Sequence, residues 1–129
     1  MKKVFVIDDM PMVCDQAESM MKDRYEVFVW DPDQDAVAQI REAKPDVVLL
    51  DLYLEDDVSG RILESLAGDP ELSSIPVIVT AADASVLLIA KFYSMGASDF
   101  IRKPFVEHVL FRKLDSQIKL KEIGYRFEL

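Results

Sequence analysis

The chain has 129 residues, half of them hydrophobic and 30% charged, with few glycines and prolines and a net charge of −9. That length supports one core of useful size but not two, and the composition excludes disordered, collagen-like and low-complexity classes. The acidic balance opposes direct binding to nucleic acid or to an anionic membrane surface.

The opening MKKVFVIDDM turns acidic after a short apolar run, too short for a signal-peptide core, and no stretch reaches membrane-spanning length. A single cysteine, Cys14, leaves no internal disulfide and no cysteine cage for a metal, and is read as a small residue on a helix face. A cytoplasmic protein with no membrane partner is therefore expected.

Residues 3–7, KVFVI, are a β-branched and aromatic run that ends at Asp8 and Asp9, as a buried strand does. Pro11 then suits the first turn of a helix over 11–24. YEVFVW, 25–30, reads as a second strand, followed by a helix over 33–44 with Val37 and Ile40 on one face and Pro45 as its breaker. The third strand is DVVLLD, 46–51. A loop, LYLEDDVS, leads to a helix starting near Gly60 with Ile62, Leu63 and Leu66 on its apolar side. VIVT, 77–80, is the fourth strand and 84–96 a helix stopped by Gly96. DFIR, 99–102, is the fifth strand, and residues 105–123 form the last helix. Strands that are apolar throughout are covered on both faces, so five β-α units imply a doubly wound α/β fold with a parallel sheet between helical layers.

In such a sheet ligands bind beyond the carboxyl ends of the strands, where strand order reverses. Those ends carry Asp8 and Asp9, Trp30 and Asp31, Asp51, Thr80, and Lys103 just past the fifth strand. If the first and third strands are neighbours, three carboxylates converge and call for a cation. Oxygen donors suit Mg²⁺ better than zinc, for which the chain offers one histidine and one cysteine. Lys103 and Thr80 would hold phosphoryl oxygens, and Asp51, alone in an apolar run, would be a nucleophile. Taken singly, each feature has a plainer reading: Asp9 as a helix cap, Thr80 as an ordinary strand residue, Lys103 and Pro104 as a helix entry. Their coincidence at one edge of one sheet favours a built site.

With VIDDM at the first strand end, VVLLDL at the third, VIVTAAD at the fourth and GASDFIRKPF across the fifth, the sequence resembles the receiver domain of two-component response regulators over nearly its whole length. The resemblance implies a flavodoxin-like five-stranded sheet in the order 2-1-3-4-5. It also implies phosphoryl transfer to Asp51 from the phosphohistidine of a histidine kinase or phosphotransfer protein. Mg²⁺ would be held by Asp9, Asp51 and the backbone carbonyl of Tyr53, with Asp8 acting through a metal-bound water. Lys103 would pair with the phosphoryl oxygens, and its bond to Pro104 is expected to be cis. Thr80 and Phe100 would be the switch residues, read out by the fourth helix, fifth strand and fifth helix, a surface that would also serve a homodimer. Such a chain is no enzyme in the usual sense, catalysing only its own phosphorylation and dephosphorylation.

Several residues depart from the family pattern. In LYLEDDVSG, Glu55 replaces the usual proline and Gly60 comes one position late, so extra local freedom is expected. Tyr53 and Ala82 stand where the family sets the rate of hydrolysis, and slow self-dephosphorylation is expected: Tyr53 would shield the phosphoryl group and Ala82 cannot orient water. VLLIAKFY is more apolar than one buried face requires, which suggests partner contact or else a well-buried helix. His108 is read as a surface residue and Trp30 as packing over a helix end.

Three rivals use related features. A degenerate receiver acting as a phosphorylation-independent docking module is favoured by the altered loop and disfavoured by the intact Asp51, Thr80 and Lys103. An aspartate-nucleophile phosphohydrolase needs an acid where Tyr53 stands. A nucleotide-binding α/β domain, with Asp31 reading a ribose, needs a glycine for close phosphate approach that the turn DDMPM lacks. The receiver domain is assigned to 1–123 and a tail or the start of a linker to 124–129. The apolar Ile118, Leu120, Ile123 and Phe127 favour a piece of a longer regulator.

Overall fold

A computed structural model describes residues 1–124; the expected tail or linker, Phe127 included, lies outside the described residues apart from Gly124. The elements are β1 (Lys3–Ile7), α1 (Pro11–Met21), β2 (Glu26–Val29), α2 (Ala36–Ala43), β3 (Val47–Asp51), α3 (Val58–Ala67), β4 (Val77–Ala81), α4 (Val86–Ser94), β5 (Asp99–Arg102) and α5 (Glu107–Glu122), with a 3₁₀ turn over Glu55–Asp57 ahead of α3. The strands form one sheet in the order β2-β1-β3-β4-β5, every pair parallel. Both the doubly wound flavodoxin-like class and its strand order are those expected.

Continuous apolar strands arise because both faces are buried and successive side chains point to opposite sides. Phe5, Ile7, Val48, Leu50, Val77 and Val79 pack in one cluster with Ile40 of α2, Leu63 of α3 and Phe92 of α4. Val4, Val6, Val47, Leu49 and Ile78 pack in the other with Ala17 of α1 and Leu110 and Leu114 of α5. This parity fixes the site, since Asp8, Asp51 and Thr80 continue the second set and so stand on the α1/α5 side of the carboxyl edge.

Helix ends differ from expectation where local bonds decide them. α1 stops at Met21, whose carbonyl accepts the N–H of both Arg24 (2.9 Å) and Tyr25 (2.8 Å). α2 starts at Ala36 because Asp35 Oδ2 accepts the Ala38 N–H at 2.9 Å, an N-cap. α3 starts two residues before Gly60. The loop ahead of it turns through left-handed backbone at Asp56 and Asp57, each with φ of 56°. Ser85 caps α4, its Oγ accepting the Leu88 N–H at 3.1 Å. Only Phe92 of α4 is buried, while Val86 and Leu87 are 81% and 83% exposed; the well-buried reading of VLLIAKFY is therefore wrong. Trp30 is half-buried and lines a groove with Ala36 and Val37 at the start of α2 and Val58 and Ile62 at the start of α3. His108 is exposed.

Left-handed backbone is costly for side chains branched at Cβ and free for glycine. Asp57→Val should lose about 1–3 kcal/mol of stability in urea denaturation, whereas Asp57→Gly should not be destabilised.

Candidate functional site

The site lies where strand order reverses, between the carboxyl ends of β1 and β3, the position at which an open α/β sheet presents a crevice. Asp8 and Asp51 are both buried, at 6% and 5% exposure, and Asp9 is exposed beside them. One carboxylate oxygen from each lies within 4.8 Å of the others. At an effective dielectric of about 20, two like charges that close repel by roughly 3 kcal/mol, so the arrangement needs cations.

Lys103 supplies one. Its Nζ donates to Asp8 Oδ2 at 2.5 Å and lies 3.3 Å from Asp51 Oδ1. The chain delivers it there from the end of β5, through a backbone N–H that donates to the Ala81 carbonyl at 2.9 Å, and the following bond to Pro104 is cis. Asp8 also accepts the Met10 N–H at 2.9 Å through Oδ1, which fixes its carboxylate at the turn into α1. Cys14 of α1 donates its thiol to the Asp8 carbonyl at 3.5 Å; burial, then the charge of Asp8, pushes the thiol pKa up to about 11, so Cys14 is an inert packing group.

Asp51 ends β3 opposite Thr80, its partner in the β3–β4 register. Burial pushes its carboxyl pKa above the ordinary value, opposed by the Tyr53 N–H bond and by Lys103. That N–H donates to Asp51 Oδ1 at 3.2 Å. Thr80 is buried, and Phe100 is half-buried against the cluster on the opposite face of the sheet. A cavity of about 360 Å³ opens beside Asp9, Asp51 and Lys103, with Tyr53 and Ala82 also in its lining. Carboxylate oxygens of mixed burial, next to open space, form a donor set for a hard divalent ion with room left for other ligands.

Two contributors escaped the sequence reading. Ser59 Oγ donates to the Asp51 carbonyl at 2.5 Å and accepts the Leu54 N–H at 3.3 Å, bracing the turn after Asp51. Its signal was available: Ser59 shares the i, i+3, i+4, i+7 stripe of Ile62, Leu63 and Leu66, a polar residue on a buried face. The other is the Asp83 backbone carbonyl, which accepts the Tyr53 hydroxyl at 2.6 Å; a main-chain acceptor leaves no trace in residue identity.

Comparison with known proteins agrees with this geometry. A model of the family described as the response regulator receiver domain matches residues 4–115. The chain belongs to that family. It is 28% identical to Protein PilH of Pseudomonas aeruginosa over 117 residues, covering 90% of this chain and 97% of that protein. A CheY-like receiver domain protein from Methanospirillum hungatei superposes with a TM-score of 0.84 at 21% identity, covering 96% of this chain and 98% of the other. NtrX from Brucella abortus gives the same score and identity over 96% of this chain but only 28% of its own. The receiver fold thus occurs both as most of a chain and as a part of one. Receivers are signalling domains that work with histidine kinases or phosphotransfer proteins, and no helix among the described residues is long and apolar enough to cross a membrane.

The raised Asp51 pKa has a stability consequence. A carboxyl whose pKa is higher in the folded state costs stability above that value and costs nothing below its unfolded value. Asp51→Asn should therefore melt a few degrees higher than the wild type at pH 7 in EDTA. The difference should vanish as pH falls below 3.8, the ordinary value for aspartate, and calorimetry across that range checks it.

Proposed function

We propose that this receiver is a working phosphoacceptor, with Asp51 as the residue phosphorylated. The observation that carries the reading is the joint placement of a buried strand-end carboxylate, a lysine ammonium 3.3 Å from it and two further carboxylates within 4.8 Å. An Asp51 oxygen attacks phosphorus as the bond from phosphorus to the donor's imidazole nitrogen breaks, and the imidazole leaves with the bonding pair and is reprotonated by solvent. Desolvation, the cause of the raised pKa, leaves the carboxylate less screened by water. Lys103 is close enough to exchange part of its pairing with Asp8 for a phosphoryl oxygen, stabilising the charge spread over the group in transit. Thr80, opposite Asp51 in the sheet, is the hydroxyl available to the phosphorylated state, and Phe100 is the aromatic behind it.

Mg²⁺ fits this donor set. Held by Asp9, Asp51 and the Tyr53 carbonyl, with Asp8 nearby, it would neutralise charge between the carboxylates and an incoming phosphoryl group.

The donor we infer is a protein carrying phosphohistidine, from a histidine kinase or a phosphotransfer protein. Met10, Met12, Tyr53 and Val106 are exposed hydrophobic residues around the site, and a groove of about 600 Å³ lined by Met12, Gln16, Met20 and Phe105 adjoins it, which suits an apolar protein surface. The output is read at α4, β5 and α5, where Val86, Leu87 and Tyr93 stand exposed. A homodimer through that surface is the second partner proposed.

Incubation with acetyl phosphate and Mg²⁺ should add one phosphoryl group by intact mass to the wild type and none to Asp51→Asn, with decay over many minutes rather than seconds. If Mg²⁺ binds and no adduct forms, the chain is a docking module; if a phosphoester is turned over, it is a phosphohydrolase.

A further inference from the structure

Tyr53 is 53% exposed, yet its hydroxyl is fixed at 2.6 Å from the Asp83 carbonyl. No packing need sends a half-exposed ring from the turn after β3 to the loop after β4; a directed hydrogen bond does. Among the described residues it is the one hydrogen bond made by residues 82–84. The same tyrosine gives its backbone N–H to Asp51 Oδ1. The backbone on either side of it is held, because Leu52 and Leu54 are buried and Ser59 bridges the Asp51 carbonyl to the Leu54 N–H. A displacement at Asp51 is therefore passed on, at this turn, through the Tyr53 side chain. At the far end, Asp83 lies two residues before Ser85, the cap of α4, and the first turn of α4 displays Val86 and Leu87.

We propose that the bond from the Tyr53 hydroxyl to the Asp83 carbonyl is a tether that couples Asp51 to the amino end of α4, making Tyr53 a positioning residue for the acceptor site. The coupling rests on the phosphoacceptor reading above; the tether itself does not. New charge on Asp51 alters the acceptor that the Tyr53 N–H faces, and the tether carries that change to residues 82–84, which make no other hydrogen bond among the described residues. Coupling of this kind needs a contiguous set of contacts ending on an element free to move, and the sequence of bonds from Asp51 through Tyr53 and Asp83 to the Ser85 cap meets that requirement.

The test is hydrogen–deuterium exchange of the whole chain, wild type against Tyr53→Phe, which keeps the ring and removes only the hydroxyl. Without metal or phosphodonor, the amides of Leu88 and Ile89, which donate to the Ser85 side chain and carbonyl at the start of α4, should exchange roughly threefold to tenfold faster in Tyr53→Phe, the factor that the net contribution of one hydrogen bond corresponds to. Asp83→Ala, which keeps the accepting carbonyl, should exchange as the wild type does. With acetyl phosphate and Mg²⁺, phosphorylation should change exchange at Leu88 and Ile89 in the wild type, and that change should shrink in Tyr53→Phe at equal occupancy of Asp51 by intact mass. Unaltered exchange in unphosphorylated Tyr53→Phe overturns the tether whatever happens at Asp51. An equal phosphorylation response in both proteins overturns the coupling. Absence of the adduct in the wild type instead removes the phosphoacceptor reading, and the coupling with it, while leaving the metal-free comparison as the test of the tether.

Discussion

Two carboxylates buried side by side are the constraint around which this domain is arranged. Asp8 and Asp51 are withdrawn from water at the ends of adjacent strands, and a single ammonium, Lys103, lies against both. Without that lysine the pair would stand as unscreened like charges in a poorly solvated crevice, at a cost of several kcal/mol. Strand order at the centre of the sheet, the route of the chain from β5 into α5, and the turn into α1 all serve to hold these three groups in place. The apolar layers on both sides of the sheet keep the strand ends in register so that the charges do not drift apart.

The same constraint makes the site responsive. A carboxylate that is ionised against the preference of its surroundings is stabilised by any added positive charge and perturbed by any added negative charge. Lys103 already divides its contacts unequally between Asp8 and Asp51, so a new anionic group draws on an interaction that exists instead of building one. Exposed apolar side chains include Met10, Met12, Tyr53 and Val106 around the site and Val86, Leu87 and Tyr93 on α4, while β1, β3 and β4 at the centre of the sheet are buried.

The turn after Asp51 shows how a local irregularity is accommodated. Asp56 and Asp57 both take left-handed backbone, a conformation that aspartate tolerates better than most residues because its short polar side chain bonds locally. Ser59 then reconnects the turn to the strand from beneath. Glycine at position 60 matters for the same reason: a Cβ there would lie 2.9 Å from Asp57 Oδ1, so its absence leaves room for the displaced carboxylate.

The sequence by itself determined the fold class, the number of strands and the edge at which chemistry gathers. Its central strands carry unbroken apolar runs, which a sheet covered on both faces allows, and Asp8, Asp9, Asp51, Thr80 and Lys103 lie at or just past the strand ends. Helix termini were less legible, because α1 stops and α2 starts where particular hydrogen bonds close, and periodicity does not contain those bonds. The tertiary structure alone decided which charges touch. It alone showed that the amino end of α4 faces solvent, because burial depends on what packs against a face and the residues VLLIAKFY are equally apolar either way. It alone brought the Tyr53 hydroxyl to the Asp83 carbonyl, since a bond to main chain thirty residues away is specified by the shape of two loops and by no residue type at its accepting end.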